Sequence, residues 1–520
     1  MIAGMFFGFK LHQETGSTTG FFKKDRTTSL QEALDLIKDR YVDNVGIDSL
    51  QDDAINEVMN HLDPHSVYIP STDVTSANED LIGNFEGIGV EFNIFEDTVH
   101  VLYVMPSGPS DIAGLRIGDK IIKVNDVSIV SKTLPSAEIR KMMRGKGGTK
   151  VKLTVLRDHT TIFKEVVRGT IPLPSLDAAY MMDVATGYIK LNKFSETTYR
   201  EFMENLEVLQ KQGMKNLVLD LRDNGGGFIK QAVDIADEFL NNDKLIVYTQ
   251  GANVRREDYK AKRPGLFEDG RLVIIVDEST ASASEILAGA VQDWDRGTII
   301  GRRTFGKGLV QNQFEMTDGS VIRLTIARYY TPVGRSIQRP YDKGRREYNQ
   351  EIYQRWTNGE LVNADSIHTA GLKVYKTLLQ KRTVFGGGGI VPDVFVPIDT
   401  SVFTRSVTRL YLEGRFNNFV YKYYIDHQDI FNQYKSAEDF ASRYQNSADV
   451  WNQLVTCALN DSIYLKNIPE RDKASIQEKI KAYLAKLKWR NQGYFQVYNN
   501  YDPAVKKAKE ILSTGASAQY

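Results

Sequence analysis

Residues 277–294, DESTASASEILAGAVQDW, follow the apolar run RLVIIV of residues 271–276. How the two join decides the fold. The run is short and rich in β-branched residues, so it reads as a buried strand. Ser282 and Glu285 then fit S-x-x-E, the capping box that opens a helix. The small residues of EILAGAV let such a helix pack closely inside a core. Helix capping by itself accounts for this stretch taken in isolation. A strand-to-helix turn can also hold a catalytic serine, because free N–H groups at the helix start can receive an oxyanion. Ser279, Ser282 and Ser284 all fall in the turn.

Around this unit, from about Gly169 to Pro397, strands and helices alternate, which argues for an α/β core. TGYIKLNKF reads as a strand and ETTYREFMENLEVLQKQG as a helix ending at Gly213. NLVLDLRDNGGG is a strand running into a glycine loop. GTIIG and LVQNQFEMTDGSVIRLTIARYY complete a sheet, with Asp318-Gly319 as a hairpin turn. Residues 341–384 are polar and helical-looking and read as an insertion.

The flanks differ in pattern. Residues 26–84 are helical, with SLQEALDLIKDRYV at helical spacing and Pro64 and Pro70 as breakers. Residues 85–168 carry short strands between Gly-Asp, Asn-Asp and Pro-Ser-Gly turns, and KVKLTVLR alternates as a half-buried strand should. Beyond about residue 399, amphipathic and aromatic patterns predict a separate helical domain running to residue 520. Residues 1–9, MIAGMFFGF, are too short to span a bilayer, which takes about 20 residues. They are expected to be the remnant of an N-terminal membrane anchor, with QETGSTTG completing a tether over 1–25.

Composition excludes some classes. Lys plus Arg equals Asp plus Glu at 66 each, so no nucleic-acid partner is expected. The single cysteine, Cys457, rules out an intramolecular disulfide and a cysteine-based zinc site. No metal and no cofactor are expected.

A serine needs a base to take its proton. None of the seven histidines lies between Thr160 and Ile367, so a histidine base would have to come from outside the core. Lys307, between two glycines in RRTFGKGLVQNQFEM, is the alternative. Burial between apolar strands would lower its pKa and make it a base. In strand register Gln311 lies on the same face and can orient the amine.

At this point several blocks resemble the C-terminal processing peptidases, or tail-specific proteases: STASASEILAGAVQD, GRRTFGKGLVQ, LDLRDNGGG, ARYYTPVGRSIQ, GGGGIVPDV, LDPHSVYIP and FEGIGVEF. The resemblance covers roughly residues 30–400. It implies a crotonase- or Clp-protease-like α/β serine protease core over 169–398, a PDZ domain over 85–168, and helical N- and C-terminal regions. It further implies Ser282 as nucleophile, Lys307 as general base and Gln311 as the residue orienting it. The N–H of Ala283 is one implied oxyanion donor, and Gly226 the second. The family usually reads N-P-G-G where this chain has Asn224-Gly225-Gly226-Gly227. Glu285 and Asp293 are assigned support of the active-site helix.

The loop of Gly87, Ile88, Gly89 and Val90 would receive a substrate's terminal carboxylate, with the peptide added as a strand beside GVEF. The implied activity is endoproteolysis of proteins near their C-termini, in the periplasm or cell envelope. An N-terminal anchor and homo-oligomer formation are compatible with it. The competing reading is a catalytically silent PDZ scaffold that binds protein tails; intact Ser282, Lys307 and Gln311 argue against it.

Overall fold

The computed structural model describes residues 28–95, 97–131, 134–369, 371–398 and 404–514. The anchor and tether expected over 1–25 lie outside these residues. Among the described residues no helix is long and apolar enough to cross a membrane.

The central sheet has six strands in the order Leu176–Met181, Thr186–Leu191, Asn216–Asp220, Arg271–Val276, Thr298–Gly301 and Val394–Phe395. All neighbours pair in parallel except the first two. Buried on both faces, its inner strands read as continuous apolar runs, as parallel strands do. Helices Thr198–Lys211, Ile229–Asp237 and Ala283–Asp293 contribute to one core. Every residue of Ala283–Asp293 is buried. A Cβ on Gly289 would lie 3.0 Å from Thr331 Cγ2, so the small residues of EILAGAV do set the packing distance.

The strands expected to finish this sheet divide between two sheets. Thr298–Gly301 joins the parallel sheet. The hairpin Leu309–Glu315/Val321–Tyr330, turning at Gly319 (φ 81°), joins Val67–Ile69, Leu245–Gln250 and Glu257–Lys260 in a separate antiparallel sheet. A hairpin closes on itself and needs no parallel neighbour, so the pattern of strands alone did not separate the two sheets. The insertion also differs from expectation in its second half. Helix Arg345–Thr357 forms, but Lys373–Lys376 pairs with Thr383–Gly386 as a β-hairpin. Val374, Tyr375, Val384 and Phe385 favour extended backbone and outweigh the polarity of the segment.

Val90–Phe95, Thr98–Val104, Lys120–Val124, Lys150–Arg157 and Thr160–Val167 form a third sheet in that order, closed over an apolar cluster by helix Ser136–Met143. Asn84–Gly87 pairs with Gly169–Pro172 where the chain enters and leaves this unit. The C-terminal helices build their own core. The last of them, Pro503–Thr514, leaves it and packs on the outer face of the parallel sheet through Val505 and Ala508. Asp502 there pairs with Arg222 at 2.8 Å, so the C-terminal region is bonded to the core as well as linked to it.

Candidate active site

Strand Arg271–Val276 delivers the chain to a turn organised by Asp277, whose Oδ1 accepts from the N–H groups of Ser279 and Thr280 at 3.1 and 3.0 Å. Ser282 follows with φ 57° and ψ −117°, a left-handed conformation that a non-glycine residue adopts only under constraint from its surroundings. The capping box forms, with Glu285 accepting the Ser282 N–H at 2.8 Å. The neighbouring serines have other roles. Ser284 is buried and donates its hydroxyl to the Asn224 carbonyl at 3.0 Å, and Ser279 is exposed.

Lys307 arrives on the other side of the same cleft. Its Nζ donates to Gln311 Oε1 at 3.0 Å, but strand register does not set this contact: Lys307 precedes strand Leu309–Glu315, whose register shifts between Val310 and Gln311. Gln311 is fixed in turn by donating its amide to the carbonyl of His65. Burial first, then the Arg323 guanidinium, hold the Lys307 ammonium below the ordinary lysine range; Asp63 and Glu285 pull the other way.

A histidine thus does reach the site from outside the core, through its backbone. Its ring Nε2 meets the Tyr348 hydroxyl at 2.9 Å. Burial, then the Lys307 charge, press the imidazole down to about 4, so it stays neutral near pH 7. The LDPHS turn that presents it is tied by Asp63, which accepts from the N–H groups of His65 and Ser66 at 2.8 and 2.9 Å.

Two further groups couple the serine to the lysine, and the sequence did not reveal either role. Glu285 accepts from the N–H groups of Gly306 and Lys307 at 2.8 and 2.9 Å, and from the Thr304 hydroxyl. Burial pushes its carboxyl up to about 7. Four donors face it, an environment that suits the ionised form once the pH exceeds that value. The Tyr329 hydroxyl lies within hydrogen-bond reach of the carbonyls of both Ser282 and Lys307. Among the described residues no hydrogen bond joins the Ser282 hydroxyl to the Lys307 amine directly.

The glycine loop closes over Ser282. A Cβ on Gly226 (φ 95°) would lie 2.7 Å from the Ala281 carbonyl oxygen, 2.8 Å from Ser282 Cβ and 2.9 Å from the Ala283 nitrogen. Only glycine fits that approach. Gly226 was the expected second oxyanion donor, but its N–H donates to Asn224 Oδ1 at 2.9 Å. That amide is thus engaged by an intramolecular acceptor in the substrate-free arrangement. Among the described residues the N–H groups of Gly225, Gly227 and Ala283 have no acceptor. The cleft bordered by Ser282, Lys307 and this loop has a volume of about 880 Å3, with Leu81, Ile82 and Phe228 supplying apolar wall.

In the third sheet, strand Val90–Phe95 is an edge. The loop before it has Gly89 at φ 74°, and the Ile88 and Gly89 N–H groups are without acceptors among the described residues. Gly87 instead belongs to the entry strand, paired with Gly169. A groove of about 340 Å3 runs from Ile88 and Gly89 between Phe92 and Met143, with Arg140 and Arg144 at its rim. Arg144 is held over the Phe85 ring at 4.4 Å and pairs with Glu79 at 2.5 Å.

Three known families match this chain: Peptidase family S41 over residues 185–342, PDZ domain over 100–157, and a family of unknown function over 406–490. The chain is 34% identical over 328 residues to the carboxy-terminal processing protease CtpA of Bacillus subtilis (strain 168), covering 63% of this chain and 69% of that one. It is 36% identical over 294 residues to the carboxyl-terminal-processing protease of Picosynechococcus sp., covering 55% and 70%. Among solved structures, the photosystem II D1 C-terminal processing protease is similar at 28% identity and a TM-score of 0.36, covering 60% of this chain and 83% of that one.

Proposed function

Because this chain belongs to the S41 peptidases, among the carboxy-terminal processing proteases, we propose that Ser282 and Lys307 form its catalytic dyad. Ser282 Oγ attacks the scissile carbonyl carbon while neutral Lys307 Nζ takes the hydroxyl proton. The oxyanion is held by the Ala283 N–H and by an N–H of the glycine loop, at Gly225 or Gly227. Collapse expels the amine, which receives the proton from Lys307. Water, deprotonated by Lys307 Nζ, then attacks the acyl carbon; the ester bond to Ser282 breaks, and Ser282 Oγ takes the proton back from Lys307. The observation that carries this reading is the half-buried Lys307 amine, fixed by Gln311 and facing the cleft that Ser282 borders. The missing direct Ser282–Lys307 bond is common in sites that tighten only around substrate.

Lys307 must be neutral to act, so kcat/KM is expected to rise with pH. The apparent pKa should lie below the ordinary lysine value of about 10.4. Arg323 helps depress it, so Arg323→Gln should move the profile toward higher pH. A flat profile from about pH 6 to about pH 10 rules the lysine out as base.

The PDZ unit is proposed to recruit substrate tails. The Ile88 and Gly89 N–H groups hold the terminal carboxylate, and the apolar groove beside them takes the last side chain. Charge-assisted hydrogen bonds are about twice as strong as neutral ones. A fluorescent peptide with a free apolar C-terminus should therefore bind the Ser282→Ala protein several-fold more tightly than its amide. Equal anisotropy titrations remove tail recognition and leave the protease assignment standing. A cell-envelope location, an N-terminal tether and self-association are part of the same proposal. The first two rest on the apolar stretch MIAGMFFGF and the QETGSTTG tether after it; cell fractionation tests them, and light scattering tests self-association.

A further inference from the structure

Strand Val90–Phe95 has two sides, and the last side chain of a tail bound as proposed above uses only one. Val90, Phe92 and Ile94 point into the domain core, whereas Glu91, Asn93 and Phe95 point out. On that outer side the C-terminal helices stand against the strand. Tyr421 stacks on Phe95 at 5.0 Å and meets the His100 ring edge-on at 5.5 Å. Arg490 pairs with Glu91 and lies 3.8 Å from the Tyr103 ring centroid. It sits at a break inside helix Glu470–Tyr498, with φ 60° and ψ −155°, a strained conformation held where the helix meets the strand. Between strand and helices remains a cavity of about 140 Å3. Phe95, Leu102, Val420, Tyr421 and Leu487 give it apolar walls, and Lys486 is among the residues that line it. Glu91 and Leu102 line both this cavity and the tail groove.

We propose that the C-terminal helical region is a second reader of the substrate tail, taking an apolar side chain upstream of the last residue into this cavity. The inference rests on the tail recognition proposed above. A peptide added along Val90–Phe95 alternates its side chains as any strand does. The last residue and the third from last face the groove beside Met143. The penultimate and fourth-from-last residues face the side of Glu91 and Asn93, where the C-terminal helices wait. The penultimate residue lies near the Glu91–Arg490 pair. The fourth from last lies near Asn93 and Phe95, over the cavity. Its volume and walls suit one leucine- or phenylalanine-sized group, and Lys486 and Arg490 disfavour a basic one.

The test uses the full-length Ser282→Ala protein and fluorescent free-acid peptides that share an apolar last residue. The fourth-from-last residue is varied among Leu, Ala and Lys, and an amidated Leu peptide is the control. Leu should bind about tenfold more tightly than Ala, as three buried carbons allow, with Lys weakest. Asn417 is an exposed residue lining the cavity. Asn417→Trp should fill the cavity and cancel the Leu-over-Ala preference while keeping the preference for free acid over amide. A Leu preference that survives Asn417→Trp, or none in the parent protein while free acid still outbinds amide, overturns the second reader alone. Loss of the free-acid preference in the parent overturns the tail reading and this inference with it.

Discussion

Ser282→Ala and Lys307→Ala are each expected to lower kcat/KM on an unstructured protein substrate by at least about 10³-fold, with the fold intact. Nucleophile and base act as one unit, so removing either closes the covalent route, and the double variant should be no worse than either single one. Both side chains border an open cleft and are only half-buried, so their loss leaves the core untouched. Far-ultraviolet circular dichroism and the melting temperature check that point. The neighbours serve as controls. Ser279 is exposed, and Ser279→Ala should retain activity. If Ser282→Ala keeps substantial turnover while the fold is unchanged, the nucleophile lies elsewhere.

Asp293→Ala is expected to produce the largest loss of stability. Asp293 and Arg335 form an ion pair at 2.7 Å with neither side chain exposed. Burial pushes the Asp293 carboxyl up, and Arg335 opposes that shift. Asp293 Oδ2 also accepts the Val333 N–H at 3.1 Å, while Arg335 donates to Gln292 at 2.7 Å. Removing the carboxylate leaves a buried guanidinium without its counter-charge, which costs about 3–5 kcal/mol. At that size the melting temperature falls by about 10 °C. Converting both partners to apolar residues, as in Asp293→Leu with Arg335→Met, should recover part of the loss. A single-variant cost below about 1 kcal/mol would mean that the pair does not hold the far end of the active-site helix.

Much of this was legible because the informative features are local. The strand 271–276 and the capping box of Ser282 and Glu285 are set by neighbours in sequence, so spacing alone predicts them. The family resemblance rests on such blocks, and the S41 and PDZ matches agree with it. The mixed α/β architecture with a helical C-terminal region held as well.

What only the tertiary structure decided are the contacts between segments far apart in the chain. The His65 carbonyl meets Gln311 across 246 positions, and nothing in LDPHS announces a backbone acceptor. Glu285 looked like a cap, yet it also gathers the N–H groups of the loop that carries Lys307. Gly226 reads as a donor from its place in the glycine loop, and only the fold shows its N–H donating to the Asn224 side chain. The C-terminal helices carried only an amphipathic pattern, which fixes a helix and its buried face but not its partner. That Arg490 pairs with Glu91, 399 positions away, follows from how the domains pack, because side-chain pairing across a fold depends on geometry that no local pattern encodes.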